Sequence, residues 1–191
     1  IRKLFLFSLL VTLVINFSDV LLAQSQSNVR NQQFEEKIYA KLRKISPQAV
    51  EHFKRGTEAL DAGRNDLAIS EYNKVLQLVP NSDDTLRRLS YAASDAVTSI
   101  EYARKAVEIN RSAANLQGLV RTLLREPGEI LIREAKVLIN EIFIKAPDDN
   151  DTYVLAAILS LSGQTDRGLL EKAVKGLLRL DPNGAATHYY A

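Results

Sequence analysis

The sequence predicts an all-α protein assembled from successive pairs of short helices, and three observations predict it. From Phe34 onward the apolar residues recur at helical spacing. No segment sustains a period of two, and no Asn-Gly or Asp-Gly turn sits between β-rich runs. Four apolar-striped stretches stop at comparable points, Pro80, Arg111, Pro147 and Pro182, which stand 31, 36 and 35 residues apart. A period between about 20 and 50 residues marks a stacked repeat. Each helix is amphipathic over a broad face that one pair cannot cover alone, so stacking supplies the missing cover.

Taken in order, the chain opens with Arg2 and Lys3 and an apolar run, Leu4 to Ile15, followed by Asn16, Ser18, Asp19 and Val20-Leu21-Leu22-Ala23. This is the three-part pattern of a secretory signal peptide with a cut after Ala23. The other reading is an uncleaved anchor over residues 4–23. A spanning helix needs about 20 predominantly apolar residues, and an anchor of that length would bury Asn16 and Asp19, so export is the expectation. A periplasmic or secreted protein follows from it, with membrane contact only through this segment if it stays uncleaved. The chain has no Met and starts at Ile1, so a few residues are expected ahead of it. Residues 24–45 read as a polar linker, Gln24 to Gln33, and a short helix striped by Phe34, Ile38 and Leu42. Ser46-Pro47 reads as an N-cap followed by the first helical residue of a repeat domain spanning 46–182. Residues 183–191 open a further unit.

Composition narrows the function. The chain has 191 residues, 25 Lys+Arg against 23 Asp+Glu, no Cys and two His. Near-neutral charge argues against broad capture of nucleic acid, which needs a concentrated positive surface. Without Cys there are no disulfides, thiolate nucleophiles or thiolate metal sites, and His52 and His188 cannot form a multi-His site. The sequence contains no GxxxxGK[ST], GxGxxG, GxSxG or HExxH, so no cofactor, metal or catalytic residue is expected. His52 lacks a nucleophile or metal cluster in its motif and reads as a packing residue. Asp148-Asp149-Asn150-Asp151 lacks the Gly and Glu that a calcium loop places at its sixth and twelfth positions, and reads as a helix N-cap. Asn81-Ser82-Asp83-Asp84 reads the same way. Asn110-Arg111-Ser112 and Asn150-Asp151-Thr152 fit the glycosylation triplet but also stand at helix starts.

The first unit reads His52-x2-Arg55-Gly56-x2-Ala59, then Ala68-x3-Tyr72 and Pro80. This resembles the tetratricopeptide repeat (TPR), an antiparallel helix pair of about 34 residues with the pattern W-x2-L-G-x2-Y, A-x3-F and P. His52 and Ala59 depart from its aromatics. The fourth unit follows with Tyr153, Ala156, Ala157, Ser160 and Pro182, while the second and third are degenerate. The resemblance covers Ser46 to Pro182 and implies a right-handed α-solenoid of about four repeats. It also implies that Gly56 and Ala68 lie where the two helices cross, with Tyr72 filling the space beneath.

In that family the first helix of each unit lines a concave groove. Carried onto this sequence, the groove positions are Phe53, Thr57 and Asp61; Arg87 and Tyr91, with Arg88 beside them; Gln117, Arg121 and Arg125; and Val154 and Ile158. The middle of this set is basic and aromatic, and its end is apolar. The Lys/Asn clamp of chaperone-binding members is absent at Phe53 and Thr57. The expectation is a non-enzymatic exported scaffold that binds a protein or peptide, with acidic residues favoured. The alternative is a docking domain of a larger envelope assembly or secretion factor, or of an enzyme whose catalytic domain lies beyond residue 191.

Overall fold

A computed structural model describes residues 32–126, 128–162 and 166–190. The proposed signal segment, the polar stretch to residue 31 and Pro127 lie outside these residues. The chain divides into two compact units, residues 1–37 and 38–191, with the boundary inside the first helix. Of the N-terminal unit only the opening of that helix, 32–37, is described.

Among the described residues there are ten α-helices and no strand: α1 Gln32–Ile45, α2 Pro47–Asp61, α3 Asn65–Leu78, α4 Asp83–Ala92, α5 Ala96–Ile109, α6 Ala113–Leu123, α7 Glu129–Lys145, α8 Asn150–Leu161, α9 Arg167–Leu180 and α10 Ala185–Tyr190. The helices pack in adjacent pairs, α2 on α3, α4 on α5, α6 on α7 and α8 on α9. The first helix of each pair also meets the first helix of the next, α2 with α4, α4 with α6, and α6 with α8.

The helix ends follow from local chemistry. α3, α5, α7 and α9 stop two residues before Pro80, Arg111, Pro147 and Pro182. The residue ahead of each Pro leaves the helical region, with φ −138° at Val79, −142° at Ala146 and −146° at Asp181. That is the steric demand of a following proline ring. Asn110 adopts the same extended φ, −147°, with no proline after it, so the second pair ends like the others. Five helix starts are capped by side-chain oxygens: Ser82 accepts from the Thr85 N–H, Asp95 from Thr98, Ser112 from Asn115, Asp149 from Asp151 and Asp166 from Leu169, whereas Ser46 precedes Pro47 at N1 without a side-chain cap bond. Each of the five satisfies one of the free N–H groups of a first helical turn. Both acidic clusters of the sequence therefore contain an N-cap, Ser82 in one and Asp149 in the other. Between α2 and α3, Gly63 turns at φ +68°, a left-handed conformation that a β-carbon would strain.

Packing in the first pair matches the expected crossing. A β-carbon on Gly56 would lie 2.7 Å from the Tyr72 ring, so the ring occupies the space that glycine leaves open. Ala68 and Tyr72 are fully buried. In the fourth pair the partners change places: Gly176 is on the second helix, and its β-carbon would meet the ring of Tyr153 on the first helix. From α5 to α9 one continuous apolar cluster runs through Ala103, Leu116, Leu123, Ile139, Ile142, Leu155, Leu159 and Leu177.

Candidate functional face

The first helices α2, α4, α6 and α8 carry the second, fifth and ninth repeat positions that the resemblance assigns to ligand contact. The groove positions named above are Phe53, Thr57 and Asp61; Arg87 and Tyr91, with Arg88 beside them; Gln117, Arg121 and Arg125; and Val154 and Ile158, and the second repeat position adds Val50, Asp84, Ala114 and Asp151. The structure treats the two ends of this set differently. Val50, Phe53, Thr57, Asp84 and Arg87 are all at most 5% exposed. Tyr91, Ala114, Gln117, Arg121 and Val154 keep partial exposure, Asp151 is open, and Ile158 is 37% exposed.

Phe53 lies between two aromatic rings, Tyr39 of α1 at 6.2 Å and Tyr72 of α3 at 5.5 Å between centroids. Thr57 Oγ1 shares a 3.1 Å hydrogen bond with the Tyr72 hydroxyl. Neither side chain offers a surface to a ligand in this conformation. Asp61, at the end of α2, is exposed.

Arg87 is a buried structural arginine. It donates to Asp84 Oδ1 at 2.9 Å and to Asn115 Oδ1 at 2.6 Å. Asn115 in turn donates to Asp83 Oδ2 at 2.7 Å and to the Ala106 and Asn110 carbonyls, tying α4, α5 and α6 together. The close contact of the Arg87 stem with α6 requires Gly118, where a β-carbon would sit 2.8 Å from Arg87 Cγ. Arg121 reaches Asp151 at 3.1 Å across to α8. Gln117 donates to Asp149 Oδ2 at 2.7 Å and to Thr152 Oγ1 at 3.0 Å. Arg88 and Tyr91 are half-buried, and Arg125 is exposed, with one N–H directed at the Ser90 carbonyl at 3.5 Å. The basic strip is thus partly used inside the protein, with Arg87 and Arg121 already matched to carboxylates. Val154 and Ile158 share one face of α8 with exposed Leu161, and together they form its apolar end.

A second polar centre escaped sequence reasoning. Glu71 on α3, with a side chain only 7% exposed, sits 2.8 Å from His52 Nδ1 and accepts from Arg55 Nε at 2.9 Å and from Lys74. Its pKa falls to about 2 from an ordinary 4.5, mainly through the Lys74 hydrogen bond and further through His52 and Arg55, against the opposing effect of burial. His52 therefore orients toward a carboxylate rather than simply filling the motif's aromatic place. Lys74 stands three residues from Glu71 on α3, but that His52 and Arg55 converge on the same carboxylate depends on how α2 crosses α3.

Consecutive pairs are also linked at the surface. Arg104 meets Glu134 at 2.8 Å, Arg111 meets Glu141 at 2.7 Å and Lys136 meets Asp166 at 3.0 Å, and at the fourth pair Arg179 of α9 meets Asp148, just ahead of α8, at 2.8 Å. Partners stand 30 or 31 residues apart, about one repeat. Among the described residues no helix is long and apolar enough to cross a membrane. The chain matches no protein-family model, and no curated protein is a significant match to it.

Proposed function

We propose that this chain is an exported, non-enzymatic interaction scaffold whose helix pairs stack as a TPR-like right-handed α-solenoid and hold a protein or peptide against the first helices. The observation that carries the reading is the side-by-side meeting of α2, α4, α6 and α8. The rear part of their shared register, Gln117 to Ile158, remains accessible. The rear face combines the exposed Arg125 with the apolar Val154, Ile158 and Leu161. That suits a short segment with an apolar anchor and an acidic group or free C-terminus, since arginine binds carboxylates with fixed, paired donors. The proposed export rests on Arg2, Lys3 and the run Leu4 to Ile15.

The test is selection of a random peptide library against the full chain. Enriched peptides should lose at least tenfold in affinity on Ile158→Asp, weaken with salt and with Arg125→Glu, and ignore Glu108→Arg on α5. Peptides that bind the Ile158→Asp chain unchanged would sink the reading. Export is checked separately by sequencing the mature N-terminus after expression in a bacterium; a cytosolic product retaining Leu4 to Ile15 overturns it.

A further inference from the structure

We infer that α1 is a built-in ligand: it engages in cis one contact position in each of the first two helix pairs, Phe53 and Asp84, and it shows the class of partner they accept, an amphipathic helix with apolar residues at i and i+4 and a lysine at i+3. This rests on the proposed reading of the first-helix face and gives that face a partner chemistry.

Equivalent positions should be equally exposed if nothing covered them, because all four helix pairs present them in the same register. They are not. Val50, Phe53 and Thr57 of the first pair and Asp84 and Arg87 of the second are buried, with Asp61 exposed at the end of α2, while the positions of the third and fourth pairs retain exposed surface. Thr57 is covered by Tyr72 and Arg87 by α6, whereas Phe53 and Asp84 are met by α1. Its Tyr39 ring packs edge-on to Phe53 at 6.2 Å, and Lys54 of α2 lies 5.2 Å over the Tyr39 ring. Its Lys41 donates to Asp84 Oδ2 of α4 at 2.9 Å, so one helix reaches both pairs. Ile38 and Leu42, four apart and on one helix face, are each 2% exposed. A helix contacting two successive first helices through an apolar stripe and one charge matches the helix-in-groove mode of peptide recognition, read as i and i+4 anchors. Asp84 is a buried carboxylate whose two oxygens are divided between Arg87 within the fold and Lys41 from α1. The front half therefore selects a basic residue, opposite in sign to the acidic partner expected from the arginines alone.

A covered site binds an outside ligand only through the fraction of molecules in which the cover is open, so loosening α1 strengthens binding in trans. The probe is a fluorescent peptide of Gln32 to Ile45, measured by anisotropy against the full chain as wild type, Leu42→Asp and Lys41→Glu. Amide hydrogen exchange is read in parallel. Leu42→Asp should speed exchange in α1 at least tenfold, leave α4 and α6 protected, and bind the peptide at least tenfold more tightly than wild type. Lys41→Glu should move both readouts the same way by about threefold. The peptide carrying Lys41→Glu should bind the Leu42→Asp chain more weakly than the parent peptide. The inference falls if Leu42→Asp exposes α4 and α6 together with α1, since α1 is then core and not ligand. It also falls if α1 opens in either variant and the peptide gains no affinity. Neither result touches the Ile158-dependent selection, and failure of that selection leaves the peptide measurement standing.

Discussion

The first two helix pairs and the last two are built from the same kind of unit yet are held together differently. Between α2 and α6 the interior contains charge: Glu71 with His52, Arg55 and Lys74, and Asp84 with Arg87 and Asn115. From α5 to α9 the interior is one apolar cluster, and the charged links have moved to the surface. A buried charge that loses its partner is costly, whereas an exposed pair contributes little. The front half is therefore specified by individual polar contacts, and the rear half by shape and apolar area.

The sharpest test of this contrast compares two arginines at neighbouring repeat positions. Arg87→Ala should cost about 3 kcal/mol in urea unfolding, because it takes the donor from Asp84 Oδ1 and Asn115 Oδ1 in the interior and leaves Asp84 with Lys41 alone. Arg121→Ala removes a pair that is open to solvent on both sides and should cost less than about 1 kcal/mol. Comparable losses would remove the distinction between the halves.

Packing at the helix crossings should matter next, and in both halves. Gly56→Ala and Gly176→Ala each push a β-carbon into an aromatic ring, of Tyr72 and Tyr153 respectively. Overpacking of this kind costs about 1–3 kcal/mol, offset in part by up to about 1 kcal/mol from alanine's better helix propensity. Thermal melts should show both variants destabilised, and Ser70→Ala on the exposed face of α3 close to wild type. Ala68→Leu, at a fully buried site in the first crossing, belongs with the destabilised group.

A smaller effect separates the halves by pH. Glu71 titrates at about 2 when folded and near 4.5 when unfolded. The unfolded state binds the proton first, so its stabilisation is complete above about pH 5 and is lost as pH falls from there through the folded value. Glu71→Gln should flatten the acid limb of the stability curve between about pH 5 and 2; an unchanged slope would remove Glu71 from the account. The smallest change is expected at the surface links, where Arg111→Ala should cost about 0–1 kcal/mol, and less in high salt. A salt-independent loss of several kcal/mol there would mean that these pairs, and not the apolar cluster, hold the rear half together.

Much of this architecture is legible residue by residue. Helix ends are local events: a proline constrains the residue before it, and Ser, Asp or Asn side chains find N–H groups two or three positions ahead. Pro80, Pro147 and Pro182 therefore mark their helix ends correctly, and Ser82 and Asp149 their caps. Gly56, Ala68 and Tyr72 are legible for a related reason, since a small residue facing a large one is the simplest way to let two helices approach. The contact face is less legible. Repeat position places Phe53, Thr57 and Arg87 on it, but position within a unit cannot say what a neighbouring element does to that unit. Nor does the spacing of Arg121 and Asp151 reveal that they meet, because the distance between them in sequence is one repeat and their separation in space is set by stacking.

The sequence by itself determined the helical class, the number and ends of the helix pairs, and the size-matched crossing of the first pair, because each depends on residues within one turn or one pair. Only the tertiary structure decided which charges were buried, that His52 faces Glu71, that Arg87 serves the interior, and that Tyr39 and Lys41 of α1 reach Phe53 and Asp84. These depend on groups distant in sequence meeting across helix boundaries, the hydrogen-bonded ones 16 to 43 residues apart. Burial, and with it the strength of every charge interaction, is a property of the packed chain, and helical periodicity gives a residue's direction on its own helix without naming what lies opposite.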